Sequence, residues 1–241
     1  MTQSFSTDAS LSFLTENYKE VTEKIAAAAI KSGRAPSDVR LMAVTKTVNP
    51  LYINHMIGLG ADLIGENKVQ ELLGKLDFLN TENLEMHIIG HLQSNKVRKI
   101  INTVSMIQSV DSMSLIDEIS RQAVNNNKTM EILIEVNIGE EDSKTGLDQS
   151  LLNETVFKAV ETEGIALRGL MSIPPICEDE LCARKYFEKT RRLFEDCRSS
   201  LGDKADFSVL SMGMSGDFEA AVLEGSTLVR VGSSLFGARR Y

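Results

Sequence analysis

The sequence predicts a single-domain α/β protein over residues 1–241: a (β/α)8 TIM barrel with an extra N-terminal helix in residues 1–36 that packs on the barrel. Three observations carry this. Eight strand-like segments alternate with helix-like ones at a regular beat between residues 39 and 231. No linker or low-complexity stretch divides the 241 residues, a length that one large barrel can fill. The G-x-G-x-x-G turn that a doubly wound open sheet usually places after an early strand does not occur.

The elements follow in order. Leu11, Leu14, Tyr18, Val21, Ile25 and Ala28 recur at spacings of three and four, which predicts one buried helical face over residues 8–33. Gly33 ends that helix, with Pro36 shortly after. The first strand is expected over 39–46, ending at Lys46, and Asn49-Pro50 opens the next helix at 51–59. Strands at 62–65, 85–90 and 106–110 alternate with helices at 67–78, 95–101 and 113–126, the last capped by Asp111 or Ser112. The fifth strand, 130–138, is rich in isoleucine and valine and leads into a polar loop at 139–146. A helix at 149–163, a strand at 165–172 stopped by Pro174-Pro175, and a long amphipathic helix at 178–201 come next. Strands at 207–210 and 228–231 flank a short helix at 217–223.

Composition narrows the function. With 26 basic and 34 acidic residues the net charge is -8, which argues against general affinity for nucleic acid or anionic membrane. No apolar run is long enough to span a bilayer, and residues 1–6 lack the basic and apolar regions of a secretory signal. Cys177, Cys182 and Cys197 are too few for a disulfide scaffold, and the first two are five apart with no nearby histidine, which fits no common zinc pattern. A cytoplasmic protein with reduced thiols and no metal site is expected.

In a barrel the site lies at the C-terminal ends of the strands. Lys46 sits there, sharing a face with Met42 and Val44. An ammonium on an apolar face is expensive to desolvate unless paired or neutralised, and Schiff-base formation with an aldehyde is one use for it. Snorkelling into solvent is the bland alternative. Two clusters of small residues, Ser211-Met212-Gly213-Met214-Ser215 and Gly232-Ser233-Ser234, follow strands seven and eight, where barrels often bind phosphate through loop N–H groups. Either cluster alone is ordinary turn chemistry. Arg230 shares parity with Leu228 and Gly232 and needs an acceptor inside the barrel: a carboxylate such as Glu135, or a ligand atom.

Longer motifs extend this. Ala43-Val44-Thr45-Lys46, Gly65-Glu66-Asn67-Lys68-Val69-Gln70-Glu71, His87-Ile88-Ile89-Gly90-His91-Leu92-Gln93-Ser94-Asn95-Lys96, Gly169-Leu170-Met171, Leu210 to Ser215 and Val229 to Gly237 together resemble the YggS/PROSC family of pyridoxal phosphate homeostasis proteins. The resemblance runs in order from about residue 37 to the C-terminus. It departs at Thr45, where many members have serine, and at Lys68, where arginine is common. It implies an alanine racemase N-terminal domain-like barrel that binds pyridoxal 5'-phosphate (PLP). By the same resemblance Lys46 is the Schiff-base lysine, and Ser211, Gly232 and Ser233 hold the phosphate on a loop shaped by Gly213 to Ser215. Arg230 then faces the pyridine nitrogen, Asn67 lies beside the ring, and Met171, His87 and His91 are pocket or supporting residues. Both histidines are equally readable as buried structural groups.

An arginine at the ring nitrogen disfavours its protonation and so weakens the ring as an electron sink. Alanine racemases with this arrangement add a tyrosine base from a second domain, whereas this sequence ends at Tyr241. The expectation is therefore a PLP carrier serving vitamin B6 homeostasis and amino-acid balance, without turnover. It would be a monomer whose partners are PLP and PLP-dependent apo-enzymes. A weak PLP-dependent amino-acid racemase is the alternative, with Tyr52 near enough to Lys46 to matter. A Schiff-base aldolase acting on a phosphorylated sugar is disfavoured, because its lysine usually lies on a middle strand.

Overall fold

The computed structural model describes residues 7–140 and 145–237, with side chains from Leu11 onward. Eight parallel strands close in sequence order: β1 (Arg40–Val44), β2 (Leu63–Glu66), β3 (Glu85–Ile88), β4 (Met106–Val110), β5 (Met130–Val136), β6 (Ile165–Ser172), β7 (Val209–Ser211) and β8 (Leu228–Val231). Closure comes from β8 pairing with β1, with Met42 opposite Arg230. The helices are α1 (Thr7–Lys31), α2 (Pro50–Gly58), α3 (Val69–Lys75), α4 (Val97–Ile100), α5 (Met113–Asn125), α6 (Leu152–Glu161), α7 (Glu180–Leu201), α8 (Phe218–Leu223) and α9 (Ser233–Phe236). The predicted barrel with its extra N-terminal helix is the fold observed.

Strand parity sorts the core into two shells. One parity packs against the helices: Ile107, Ile132, Ile134, Leu167, Leu170 and Leu210 face one set, while Ala43, Ile64, Val229 and Val231 face another. The other parity fills the barrel. Met42, Val44, Leu63, Ile89 and Leu228 form one inner cluster, and Met106, Leu133 and Met171 a second. The β5–β6 register shifts between the pairs Ile132–Leu167 and Leu133–Gly169, which makes Arg168 the extra residue on β6 and reverses the parity between Leu167 and Leu170. Opposite that shift lies Gly169 (φ +154°), where an added Cβ would stand 1.8 Å from the Val209 carbonyl oxygen. Only glycine fits there.

The caps explain several boundaries. Asn49 Oδ1 accepts the Leu51 N–H at 2.9 Å and Pro50 opens α2, so the chain must turn before residue 49. β1 consequently stops at Val44, two residues earlier than expected, and Lys46 lies on the turn beyond it. Of the two cap candidates for α5 the structure uses Ser112, whose hydroxyl accepts the Leu115 N–H. β7 starts at Val209 rather than residue 207, because Phe207 stacks on Phe194 of α7 with ring centroids 5.0 Å apart.

α1 buries Leu14, Val21, Ile25, Ala28 and Ala29 with Ile53 and Met56 of α2, Phe218 and Val222 of α8, and Leu235 of α9. Asn17 Nδ2 donates to Leu235 O at 2.9 Å. Arg34, just beyond α1, donates to Ser226 O and Val222 O at 2.9 and 2.6 Å. The added helix thus braces the two elements that follow β7 and β8. Residues 141–144 of the polar loop, and Tyr241, lie outside the described residues. No described helix is long and apolar enough to cross a membrane, and no described His/Cys/Asp/Glu cluster could hold a metal. All three cysteines are free, and burial pushes the Cys197 thiol up to about 11.

Candidate functional site

The turn that carries Lys46 is held from behind. Thr45 N–H still donates to Gly65 O at 3.0 Å, while Thr47 adopts φ +63°, a left-handed conformation uncommon for a β-branched residue. Glu71 accepts the Thr47 N–H. Lys75, buried on α3, donates to Thr45 O (2.8 Å), Glu66 Oε1 (2.8 Å) and Glu71 Oε1 (2.6 Å). Thr45 Oγ1 donates to Glu66 Oε1 at 2.7 Å. Both neighbours of Lys46 are therefore tied to one buried cluster. Burial pushes the Glu66 carboxyl up, against Lys75 and Thr45. Glu71 is also opposed by burial but ends below its usual range, because Lys75 and the Thr47 N–H bond to it.

Above this turn a cavity of about 380 Å³ opens at the C-terminal mouth. Six predicted residues line it together: Lys46, Asn67, Ser215, Arg230, Gly232 and Ser233. Ile89, His91, Glu135, Thr145, Ile173 and Met214 complete much of its wall. A second depression of about 280 Å³ shares Val44, Lys46, Gly232 and Ser233 and adds Tyr52, so the expected approach of Tyr52 is observed.

The loops after β7 and β8 meet at one hydroxyl. Ser215 Oγ accepts the N–H groups of Gly232 (3.0 Å) and Ser234 (3.2 Å), and Ser234 Oγ donates to Ser215 O (3.1 Å). Gly213 makes this geometry. Its φ is +91°, and an added Cβ would lie 2.5 Å from Ala221 Cβ. Its carbonyl accepts the Arg230 N–H at 3.0 Å.

Besides His87, three predicted residues do not line the cavity. Gly213 shapes its loop from behind, and Met171 is fully buried among the inner apolar side chains. Ser211 corrects an expectation. It lies below the phosphate-type loops, wholly buried, accepting from Arg230 Nη1 at 2.7 Å and donating to Gln108 Oε1 at 2.7 Å. The physical reason is parity: the β7 side chains that point inward are Val209 and Ser211, and the second of them meets Arg230 of β8. Arg230 Nη2 donates to Ser172 O at 2.9 Å. Glu135 is thus not a direct partner of Arg230. It accepts from Thr145 at 2.8 Å and acts on the guanidinium only at longer range, as does Asp217. Burial pushes the Arg230 guanidinium down to about 10, so it is charged at neutral pH. Burial also raises the Glu135 and Asp217 carboxyls.

The two histidines separate. His91 stands at the cavity rim, with Nδ1 3.0 Å from Asp111. His87 points to the opposite end of the barrel and is buried. Lys75, Glu71 and Gln108 are site-supporting residues that sequence reasoning missed. The available signals were the four-residue spacing of Glu71 and Lys75 on a helix, and an amide at the inner parity of an apolar strand.

A strand-end lysine, an interior arginine and two serine–glycine loops in one barrel mouth define a lysine-bearing barrel of the alanine racemase N-terminal type. The family model "Alanine racemase, N-terminal domain" matches residues 14–240. The chain is 40% identical over 226 residues to the pyridoxal phosphate homeostasis protein of Aquifex aeolicus, covering 94% of this chain and 98% of that one. A crystal structure of an unknown protein from Bifidobacterium adolescentis superposes with a TM-score of 0.91 at 37% identity, over 96% of this chain and 98% of the other. PipY of Synechococcus elongatus, solved with PLP bound, superposes with a TM-score of 0.78 at 30% identity, over 90% of this chain and 100% of the other. The chain belongs to the family of pyridoxal phosphate homeostasis proteins.

Proposed function

We propose that this protein holds PLP at the C-terminal mouth of the barrel as a Schiff base on Lys46, and serves the balance of that cofactor without turnover of its own. The observation that carries the reading is the convergence of Lys46, Asn67, Ser215, Arg230, Gly232 and Ser233 on one cavity. The donor set fits the group. The N–H groups of Gly232 and Ser234 converge on one oxygen, that of Ser215, as they would on a phosphate oxygen, and the Ser215 hydroxyl can rotate to donate. Arg230 brings a fixed positive charge to the cavity floor, and Lys46 its amine to the wall. PLP supplies an aldehyde and an electron-withdrawing ring.

The chain's own residues favour holding over turnover. Arg230, charged and bonded to neutral acceptors, disfavours a proton on any ring nitrogen it faces. Asn67 borders the ring side, and Gly213 keeps the loop with Ser215 in register. On the same reading the protein acts as a monomer in the cytoplasm and passes PLP to PLP-dependent apo-enzymes. Adding PLP should produce a Schiff-base absorbance band in the wild type but not in Lys46→Ala; an equal band in the variant would sink the assignment. Two observations favour a weak amino-acid racemase instead: Tyr52, which lines a depression with Lys46, and the His91–Asp111 pair at the rim are groups able to move a proton. Chiral chromatography after incubation with single L-amino acids separates the readings, since the carrier forms no D-enantiomer beyond stoichiometry.

A further inference from the structure

The inner layer of the barrel holds a polar chain of which only Arg230 borders the cavity. Arg230 Nη1 lies 2.7 Å from Ser211 Oγ, Ser211 Oγ 2.7 Å from Gln108 Oε1, and Gln108 Nε2 2.9 Å from His87 Nδ1. The links come from β8, β7, β4 and β3, and every member is buried. The chain crosses from the Lys46 mouth to the opposite mouth, where His87 borders a basin of about 260 Å³.

Its direction follows from donor counting. A guanidinium can only donate, so Ser211 Oγ accepts from Arg230, and its single proton, with no other acceptor among the described residues, goes to Gln108 Oε1. That orients the amide, whose NH2 then donates to His87 Nδ1. Nδ1 therefore carries no hydrogen, and the ring proton sits on Nε2. That atom is buried without a hydrogen-bond partner among the described residues, 3.6 Å from Glu85 Oε2. One arrangement satisfies the chain. Turning the amide over, with the His87 proton moved to Nδ1, would leave the Ser211 hydroxyl proton without an acceptor in a dry interior.

We propose that Gln108 and His87 are positioning residues for Arg230, a one-directional relay that fixes the guanidinium at the cavity floor from the far side of the barrel. The proposal deepens the reading of this cavity as a PLP site and rests on it for the cofactor readout alone. Gln108→Leu cuts the relay while filling its space. It should raise the PLP dissociation constant about tenfold and shift the pH midpoint of the bound cofactor's absorbance, which a merely structural residue would not do. Gln108→Glu keeps an acceptor for Ser211 but offers none of the amide's protons to His87. It should hold the dissociation constant within about threefold of wild type while moving the His87 proton to Nδ1.

The second readout needs no cofactor. The sequence has three histidines, so ¹⁵N NMR resolves the His87 tautomer. The relay requires Nε2–H in the wild type and a mixture in Ser211→Ala. A well-folded Gln108→Leu with unchanged affinity and unchanged absorbance midpoint, or an Nδ1–H tautomer in the wild type, overturns it. Should the wild type take up no PLP, the cavity reading fails, and the tautomer measurements still decide the relay.

Discussion

The two mouths of this barrel treat their cations in opposite ways. At the N-terminal mouth each cation has two carboxylates: Arg40 lies 3.3 Å from Asp62 and 3.1 Å from Glu85, and Arg168 lies 2.6 Å from both Glu131 and Asp206. At the C-terminal mouth Arg230 is more deeply buried, yet its side-chain bonds go to a hydroxyl and a carbonyl. Charge neutralised by carboxylates reads as structure. A buried cation left with neutral acceptors, in a cavity with a lysine, is held in readiness for something else. Lys75 is the instructive intermediate. It belongs to the C-terminal end but is neutralised like the other mouth, and what it holds in place is the turn carrying Lys46.

The comparison can be broken by removing one cation at a time. Lys75→Met should have the largest effect on stability, about 3 kcal/mol or more in urea denaturation, because it strands Glu66 and Glu71 beside a lost partner. Arg230→Met should cost little stability, since no carboxylate bonds to its head group directly, while PLP retention falls at least tenfold, a loss of about 1.4 kcal/mol. Arg168→Ala should do the reverse, with a loss of about 1 kcal/mol in stability and unchanged PLP retention. If Arg168→Ala released the cofactor and Arg230→Met did not, the division between the mouths would be wrong.

The smallest effect concerns acid. Burial holds the His87 pKa below its ordinary 6.5, against the attraction of Glu85 on its own strand and Glu131 on β5, and with the aid of Arg40 on β1. The unfolded chain then binds a proton near pH 6.5 that the folded chain refuses. Stability from this group is therefore full above that pH and is lost as pH falls from about 6.5 towards the depressed folded value. Urea midpoints at pH 7 and pH 5.5 should differ less in His87→Gln than in the wild type.

How much was legible in the sequence follows from the range of the signals. Alternating segments and strand parity are local, so the barrel, the inner position of Arg230 and the strand-end placing of Lys46, Ser215, Gly232 and Ser233 could be read from them, whereas Asn67 was implied only by the family resemblance. Partners across the barrel are not local. Ser211 carried the same serine–glycine signature as Ser215, and only the closed sheet shows that one meets Arg230 while the other meets the Gly232 N–H. Gln108 and Lys75 act through contacts 103 and 30 residues away, which no periodicity encodes. The end of β1 was missed because capping by Asn49 and the left-handed Thr47 set the boundary, not hydrophobicity.

The central claim is that Lys46, and not Lys75 or another amine, bonds covalently to PLP at the open mouth. Borohydride reduction of the PLP-loaded protein, followed by peptide mass spectrometry, tests it directly. A single reduced pyridoxyl-phosphate adduct on the peptide containing Lys46, lost in Lys46→Ala, is the predicted result. An adduct on any peptide lacking Lys46, at comparable yield in both proteins, would contradict it.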